Sequence, residues 1–169
     1  MSKEYLSFKK DSPEVRELTK WWKGLDEDRG DRAVLRRSHN LSEVAFSPAY
    51  HRLRLALNHF GKADDDRLAL IVGLLARVKS GDDGNSIAEQ MATKKANVPD
   101  GPAKVSGLRF RRLLKIKDQE ELFVAMTRII ALLGGSANIQ SLAQSVYYWN
   151  DITRKQWAFD YYSKAPNEA

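Results

Sequence analysis

Arginine and lysine side chains are the residues of this sequence best placed to bind a charged ligand, and they concentrate in two stretches. Residues 104–117 contain six basic residues and no acidic one: Lys104, Arg109, Arg111, Arg112, Lys115 and Lys117. Residues 29–54 contain six arginines against Asp31 and Glu43: Arg29, Arg32, Arg36, Arg37, Arg52 and Arg54. The formal net charge of the chain is +6, so the first stretch alone accounts for the imbalance. Such patches indicate a polyanionic partner, and the alternative is a solvated surface that keeps the protein soluble.

Residues 106–117 have the pattern of an amphipathic helix whose polar side is cationic. At about 100° per residue, Phe110, Leu113 and Leu114 fall within one arc. The remaining side carries four cations, Arg109, Arg111, Arg112 and Lys115. Crowded cations repel one another, and the planar arginine fork matches phosphate. We interpret this helix as a phosphate-binding element; the alternative is that its arginines pack loosely against the N-terminal half.

Further cations lie on other predicted helices. Arg32 and Arg36 are four residues apart and share a helix face. Arg128 lies within an apolar helix, where it either pairs with Glu120 or Glu121 or reaches towards phosphate. The predicted nucleic-acid-binding residues are Arg32, Arg36, Arg37, Arg52, Arg109, Arg111, Arg112, Lys115, Arg128, Arg154 and Lys155.

Catalytic and metal-binding patterns are weak in this sequence. His51 and His59 are about 12 Å apart along a helix axis, too far to share one metal ion. Three consecutive acids, Asp64, Asp65 and Asp66, are explained by their favourable position at a helix start. The sequence has no cysteine, phosphate-binding P-loop, dinucleotide turn or nucleophile elbow. We therefore predict a protein without catalytic activity, metal or cofactor.

The elements that must position the cations are predicted to be helices, in an all-α fold of two small, bundle-like lobes joined by a long loop. Helix starts are indicated at Ser12-Pro13 and Ser47-Pro48, and also at Asp64, Asp118, Asn138 and Asp151. The pattern predicts an N-terminal lobe over residues 12–80, a connecting loop with a short helix over 81–105, and a C-terminal lobe over 106–163. It predicts no strand pair. Six aromatic residues lie at helical spacing: Trp21, Trp22, Trp149, Trp157, Tyr161 and Tyr162. Most of them are assigned to the core or the seam between lobes, and base stacking is the alternative for one or two.

The cellular setting is predicted from what the chain lacks. It has no charged and apolar leader, and no apolar run approaches about 18 residues. We expect a cytoplasmic protein that does not cross a membrane.

Five ordered segments together resemble the CasB family, the small subunit of the type I-E CRISPR effector complex called Cascade. They are Trp21-Trp22-x-x-Leu25, Arg29-Gly-Asp-Arg32-Ala-x-Leu35-Arg36-Arg37, Pro48-Ala-Tyr-x-Arg52-Leu53, Arg109-Phe-Arg-Arg-Leu-Leu114 and Trp157-Ala-x-x-Tyr161-Tyr162. The resemblance runs from about Trp21 to Tyr162, and the order of the set carries it rather than any one motif.

The resemblance implies a helical two-lobe protein without enzymatic activity that supports antiviral defence. It implies partners: other Cascade subunits, a second copy of the same chain, the guide RNA and the target DNA. Members line the path of the guide RNA–target DNA hybrid and help to hold the displaced strand. The family's basic groove residues fall on Arg37, on Arg109 and Lys115, on Arg128, and near Arg154.

Two other functions fit parts of the sequence. A helix-turn-helix DNA-binding regulator is suggested by Ser86-Ile-Ala-x-Gln-Met91 followed by a basic helix, although the usual turn of 3–4 residues is replaced by about a dozen. The second is that of a scaffold that binds only protein, whose arginines would face acidic surfaces of its partners.

Overall fold

Side-chain caps and apolar spacing define five helices in the N-terminal half. The computed structural model describes residues 4–96 and 98–168. The helices are α1 (Pro13–Gly24), α2 (Arg29–Arg36), α3 (Leu41–Ala45), α4 (Pro48–Leu57) and α5 (Asp65–Leu75). Each begins after a residue whose side chain accepts a backbone N–H of the first turn: Ser12, Asp28, Asn40, Ser47 and Asp64. A short 3-10 turn, Asn58–Phe60, follows α4 and ends at Gly61.

The same capping rule holds in the C-terminal half. Its helices are α6 (Ile87–Ala92), α7 (Gly107–Leu114), α8 (Gln119–Leu132), α9 (Ile139–Tyr147) and α10 (Asp151–Lys164), followed by a 3-10 turn, Pro166–Glu168. Their caps are Ser86, Ser106, Asp118, Asn138 and Asn150. The prediction of an all-α fold is confirmed. In the part of the chain that the structure describes, no helix is both long and apolar enough to cross a bilayer.

The structure also contains a strand pair, so the prediction that none is present was wrong. Strand β1 (Ser80–Gly81) runs parallel to β2 (Ser136–Ala137). Gly134 and Gly135, with φ of 70° and 79°, end α8 and turn the chain towards β1. Two residues per strand are too few for an alternating pattern to be recognised in the sequence.

Helix α5 is the centre of the core. Every residue from Leu68 to Leu75 is buried, which matches its apolar sequence on all sides. The helix packs against α3 from the N-terminal half and against α8 and α9 from the C-terminal half. The buried side chains of both halves form one cluster. The two predicted lobes therefore share one hydrophobic core. Their division at residues 81–105 stays a prediction.

The connection over 81–105 contains more order than a plain loop. Helix α6 coincides with the predicted short helix, begins with a reciprocal capping box between Ser86 and Glu89, and packs against α10. An isolated antiparallel bridge joins Lys94 to Ala103. These contacts anchor the chain that enters α7.

Candidate nucleic-acid interface

Helix α7 presents its cations outwards because its apolar side is fixed from within. Phe110 is fully buried and stacks on Tyr161 of α10, with ring centroids 4.0 Å apart and planes at 7°. The Tyr161 hydroxyl donates to the Val105 carbonyl oxygen at 2.6 Å, which holds the segment just before the helix. Leu113 is buried one turn after Phe110. This packing leaves Arg109, Arg111 and Arg112 exposed.

A groove between α7 and α8 brings three of the predicted arginines together. Its volume is about 380 Å³, and Arg109 and Arg112 of α7 line it together with Arg128 of α8. The other lining residues are Ser106, Leu108, Leu113, Ile116, Ala125 and Ile129, none of them acidic. The proximity of Arg128 to the arginines of α7 depends on how the two helices pack, so no local sequence pattern contains it. The result is a concave surface with an apolar floor and three guanidinium groups.

The sequence predicts for Arg128 either an ion pair with Glu120 or Glu121 or a contact with phosphate. In the structure it is exposed and forms no ion pair with any described residue. Glu120, one of the suggested partners, instead accepts the backbone N–H of Leu41 at 3.2 Å. The internal pairing is therefore not formed, and the phosphate contact stays a prediction.

Four more predicted residues are accessible to a ligand. Arg36, Arg37, Lys115 and Lys155 are exposed. None of them forms an ion pair within the described residues. They lie at the end of α2, just after α7 and in α10, and none of them lines the groove.

The remaining predicted residues already have internal partners. Arg32 Nη1 lies 2.6 Å from Asp26 Oδ1, with only 16% of the arginine side chain exposed. Arg52 pairs with Asp31 and, at 3.8 Å, with Asp28. The other two internal contacts join Arg111 Nη1 to the carbonyl oxygen of Glu168 at 2.9 Å and Arg154 to Asp151. These four arginines are less free to bind phosphate than those of the groove.

Arg77, which is not among the predicted site residues, orients the basic helix α2. It donates to the carbonyl oxygens of Gly73, Leu35, Arg36 and Ser38, at 2.6, 3.4, 3.0 and 2.7 Å. Burial, with a smaller contribution from nearby Arg36, lowers the pKa of Arg77. Arg77 thus satisfies the C-terminal carbonyls of α2 and ties Arg36 and Arg37 to the core. A lone arginine after an apolar run was the available sequence signal.

The histidines and the acidic triplet have ordinary structural contacts. One ring nitrogen of His51 lies 2.7 Å from the Ala45 carbonyl oxygen, and His59 packs on Phe60. Asp64 caps α5, and Asp65 accepts from Arg54 Nε at 2.8 Å. Across residues 4–96 and 98–168, no group of three metal-binding side chains is close enough to hold an ion.

A second, larger cleft lies between α9, α10 and the segment before α6. Its volume is about 1020 Å³. Lys9 and Lys10 on its wall are offset by Asp11, Asp83 and Asp160. Most of its other lining groups are amides and hydroxyls, so this cleft suits a polyanion less well than the groove does.

The arrangement of α6 and α7 does not favour a helix-turn-helix regulator. Fourteen positions, residues 93–106, separate the two helices, where that motif uses a turn of about 3–4 residues. Helix α6 packs against α10.

Comparison with known proteins identifies the family. The sequence matches the family model of CRISPR-associated protein Cse2 over residues 31–162. A chain in the crystal structure of E. coli Cascade bound to a PAM-containing double-stranded DNA target is 20% identical, with a TM-score of 0.66; the match covers 91% of this chain and 95% of that one. CasB from Thermus thermophilus is 22% identical, with a TM-score of 0.66, over 90% of this chain and 99% of that one.

None of the curated proteins matches the sequence. At 20% and 22% identity, the two solved structures show that the fold is shared. The family model matches most of the chain. The chain therefore belongs to the CRISPR-associated Cse2 family, the family that its ordered segments resemble under the name CasB.

Proposed function

We propose that this chain is a non-catalytic subunit of Cascade, the CRISPR RNA-guided DNA surveillance complex, and that it holds nucleic-acid backbone in the groove between α7 and α8. Family membership supports the first part, as does the likeness to a chain in E. coli Cascade bound to DNA. The observation that carries the second part is the convergence of Arg109, Arg112 and Arg128 on a groove whose lining contains no carboxylate.

The groove has the chemistry that a sugar-phosphate chain requires. Each guanidinium group offers paired N–H donors to phosphate oxygens. The apolar side chains of Leu113, Ile116 and Ile129 lower the local dielectric and so strengthen these contacts. No base edge needs to be read, because pairing between guide and target supplies sequence specificity.

The partners follow from this role. We propose that the groove and the exposed cations Arg36, Arg37, Lys115 and Lys155 hold the guide RNA–target DNA hybrid and the displaced DNA strand. The protein partners are the other Cascade subunits and a second copy of this chain, in the cytoplasm. Copurification of the chain with a CRISPR guide RNA is the direct check on this assembly.

The backbone-contact role is tested by removing two groove cations together. Arg109→Ala with Arg112→Ala should weaken binding to random single-stranded DNA. The plot of log affinity against log salt should also become less steep. Its negative slope should shrink in magnitude by about 1.4, since each lost phosphate contact on a single strand contributes roughly 0.7. Both side chains are exposed, so the thermal unfolding midpoint should stay the same. Fluorescence anisotropy across a salt series measures the slope.

The matched control is Arg54→Ala with Arg67→Ala, which removes the same charge from arginines that already face Asp65 and Asp64. If both double variants weaken binding equally, net charge explains the result and the groove assignment is wrong. A strong preference of the wild-type protein for one duplex sequence would instead support a DNA-binding regulator.

A further inference from the structure

The turn between α7 and α8 carries cations, and two side chains hold it by hydrogen bonds to one of its carbonyl groups. This α7–α8 turn, residues 115–118, exposes Lys115 and Lys117 to solvent. The carbonyl oxygen of Ile116, between them, accepts Trp149 Nε1 at 2.8 Å and Arg154 Nη1 at 3.3 Å. The turn is thereby fixed to the corner between α9 and α10.

The Arg154 guanidinium group is occupied by contacts within the protein and is mostly shielded from an external ligand. Only 15% of its side chain is exposed, and Nη2 pairs with Asp151 in the first turn of α10. Its guanidinium carbon lies 6.0 Å from the Trp149 ring centre, within range of a cation–π contact. The hydrogen bond from Arg154 is the main cause of the lowered pKa of Asp151. Asp151, whose own side chain is 83% exposed, thus balances part of the positive charge of Arg154 at the surface.

We infer that Arg154 is a positioning residue, which holds the α7–α8 turn so that Lys115 and Lys117 meet the nucleic-acid backbone, and that it does not bind phosphate itself. The inference rests on the proposed function and assigns Arg154 a different role within it. It follows from the fork geometry, because one guanidinium group reaches the Ile116 carbonyl and the Asp151 carboxylate together, which a lysine ammonium at the same position does not.

Charge-preserving substitution separates the two roles. Arg154→Lys keeps the charge but loses the fork, so it should weaken single-stranded DNA binding as much as Arg154→Gln does, by roughly fivefold, the loss expected for one hydrogen bond. A direct phosphate contact predicts that lysine preserves most of the affinity, because lysine also binds phosphate as a point charge. Preserved affinity in Arg154→Lys would overturn the inference.

Two double-mutant cycles distinguish positioning from general loss of structure. Arg154→Gln should have no further effect in a protein that already carries Lys115→Ala and Lys117→Ala. It should add its full effect to Arg36→Ala, an exposed arginine at the end of α2 that does not contact the turn. Full additivity with the lysine pair overturns the inference, as does a lysine pair whose removal leaves affinity unchanged.

The same experiments keep this inference apart from the proposed function. If Arg109→Ala with Arg112→Ala leaves binding unchanged, the groove assignment fails whatever Arg154 does. If that double variant weakens binding but Arg154→Gln acts independently of the turn lysines, only the positioning role fails.

Discussion

At the scale of single residues, Glu168 shows how one carboxylate supports the basic helix. Its side chain accepts the backbone N–H groups of Ala103 and Gly107, each at 3.0 Å. Its carbonyl oxygen accepts from Arg111. The two backbone hydrogen bonds are the main cause of the lowered pKa of Glu168. A Cβ atom on Gly107 would lie 1.7 Å from that carbonyl oxygen, so only glycine allows this close approach.

Glu168→Gln should therefore destabilise the protein in a pH-dependent way. Because the folded-state pKa lies below the unfolded value of about 4.3, the carboxylate contributes its full stability above that value. The contribution falls as the pH drops through the folded-state pKa. Urea unfolding at pH 7 should show a loss of stability in the variant, and the difference from wild type should shrink only below about pH 4.3, as the pH falls through the folded-state pKa.

Glu27→Gln is the control for that experiment, since it removes the same charge from an exposed glutamate in the turn after α1. Equal loss of stability in both variants at pH 7 would contradict the specific role of Glu168.

The arginines show which part of the candidate site the sequence could predict. Exposure of Arg109 and Arg112 follows from the wheel of α7 alone, because Phe110 and Leu113 define its buried side. The engagement of Arg52 with Asp31 joins residues 21 positions apart, and no local pattern contains that information. The groove needed Arg128 from the next helix, so its composition depends on helix packing.

At the scale of elements, the helix starts were the most predictable features. Ser12, Ser47, Asp118 and Asn138 each cap the helix assigned to them, because capping depends on residues within one turn. Helix α3 was not predicted. Its five residues are too few to show a repeating apolar face, and its order comes from packing on α5.

The end of α8 offers a test of local backbone conformation. Gly135 has φ of 79°, and a Cβ there would lie 3.2 Å from the Lys79 side chain. Gly135→Ala should cost about 1–2 kcal/mol of stability, because an alanine in the left-handed region is strained. Chemical denaturation measures this cost.

Gly24→Ala is the matched substitution, at a helical glycine with nothing within 4 Å of the added carbon. It should be neutral or stabilising by up to about 1 kcal/mol. If Gly135→Ala is as well tolerated as Gly24→Ala, the turn after α8 does not depend on a left-handed residue.

At the scale of the whole molecule, positive charge and packing are organised differently. Ion-paired arginines occur in both halves, at Arg32, Arg52 and Arg54 and again at Arg154. The groove, whose three arginines form no ion pair within the described residues, lies in the C-terminal half alone. The core, by contrast, runs through both halves around α5. A ligand bound at the C-terminal half therefore lies on a body that is continuous with the N-terminal one.

Gly73 lies where helices of both halves pack closely against α5. A Cβ on Gly73 would lie 2.5 Å from Phe123 of α8 and 2.9 Å from Val44 of α3. Gly73→Ala should therefore cost about 1–3 kcal/mol, the range for an overpacked core. Because α5 contacts helices of both halves, the loss should appear equally in both.

The tryptophans make this measurable, since Trp21 and Trp22 report on the N-terminal half and Trp149 and Trp157 on the C-terminal half. In a variant that keeps only one tryptophan pair, the fluorescence of that pair reports on one half. If the chain unfolds in one transition, the urea midpoint from this fluorescence equals the midpoint from the circular dichroism of the same variant. Gly73→Ala should shift both midpoints together. Separate midpoints, or a shift confined to one pair, would mean that the predicted lobes unfold independently, and that the groove in the C-terminal half does not depend on α5 for its stability.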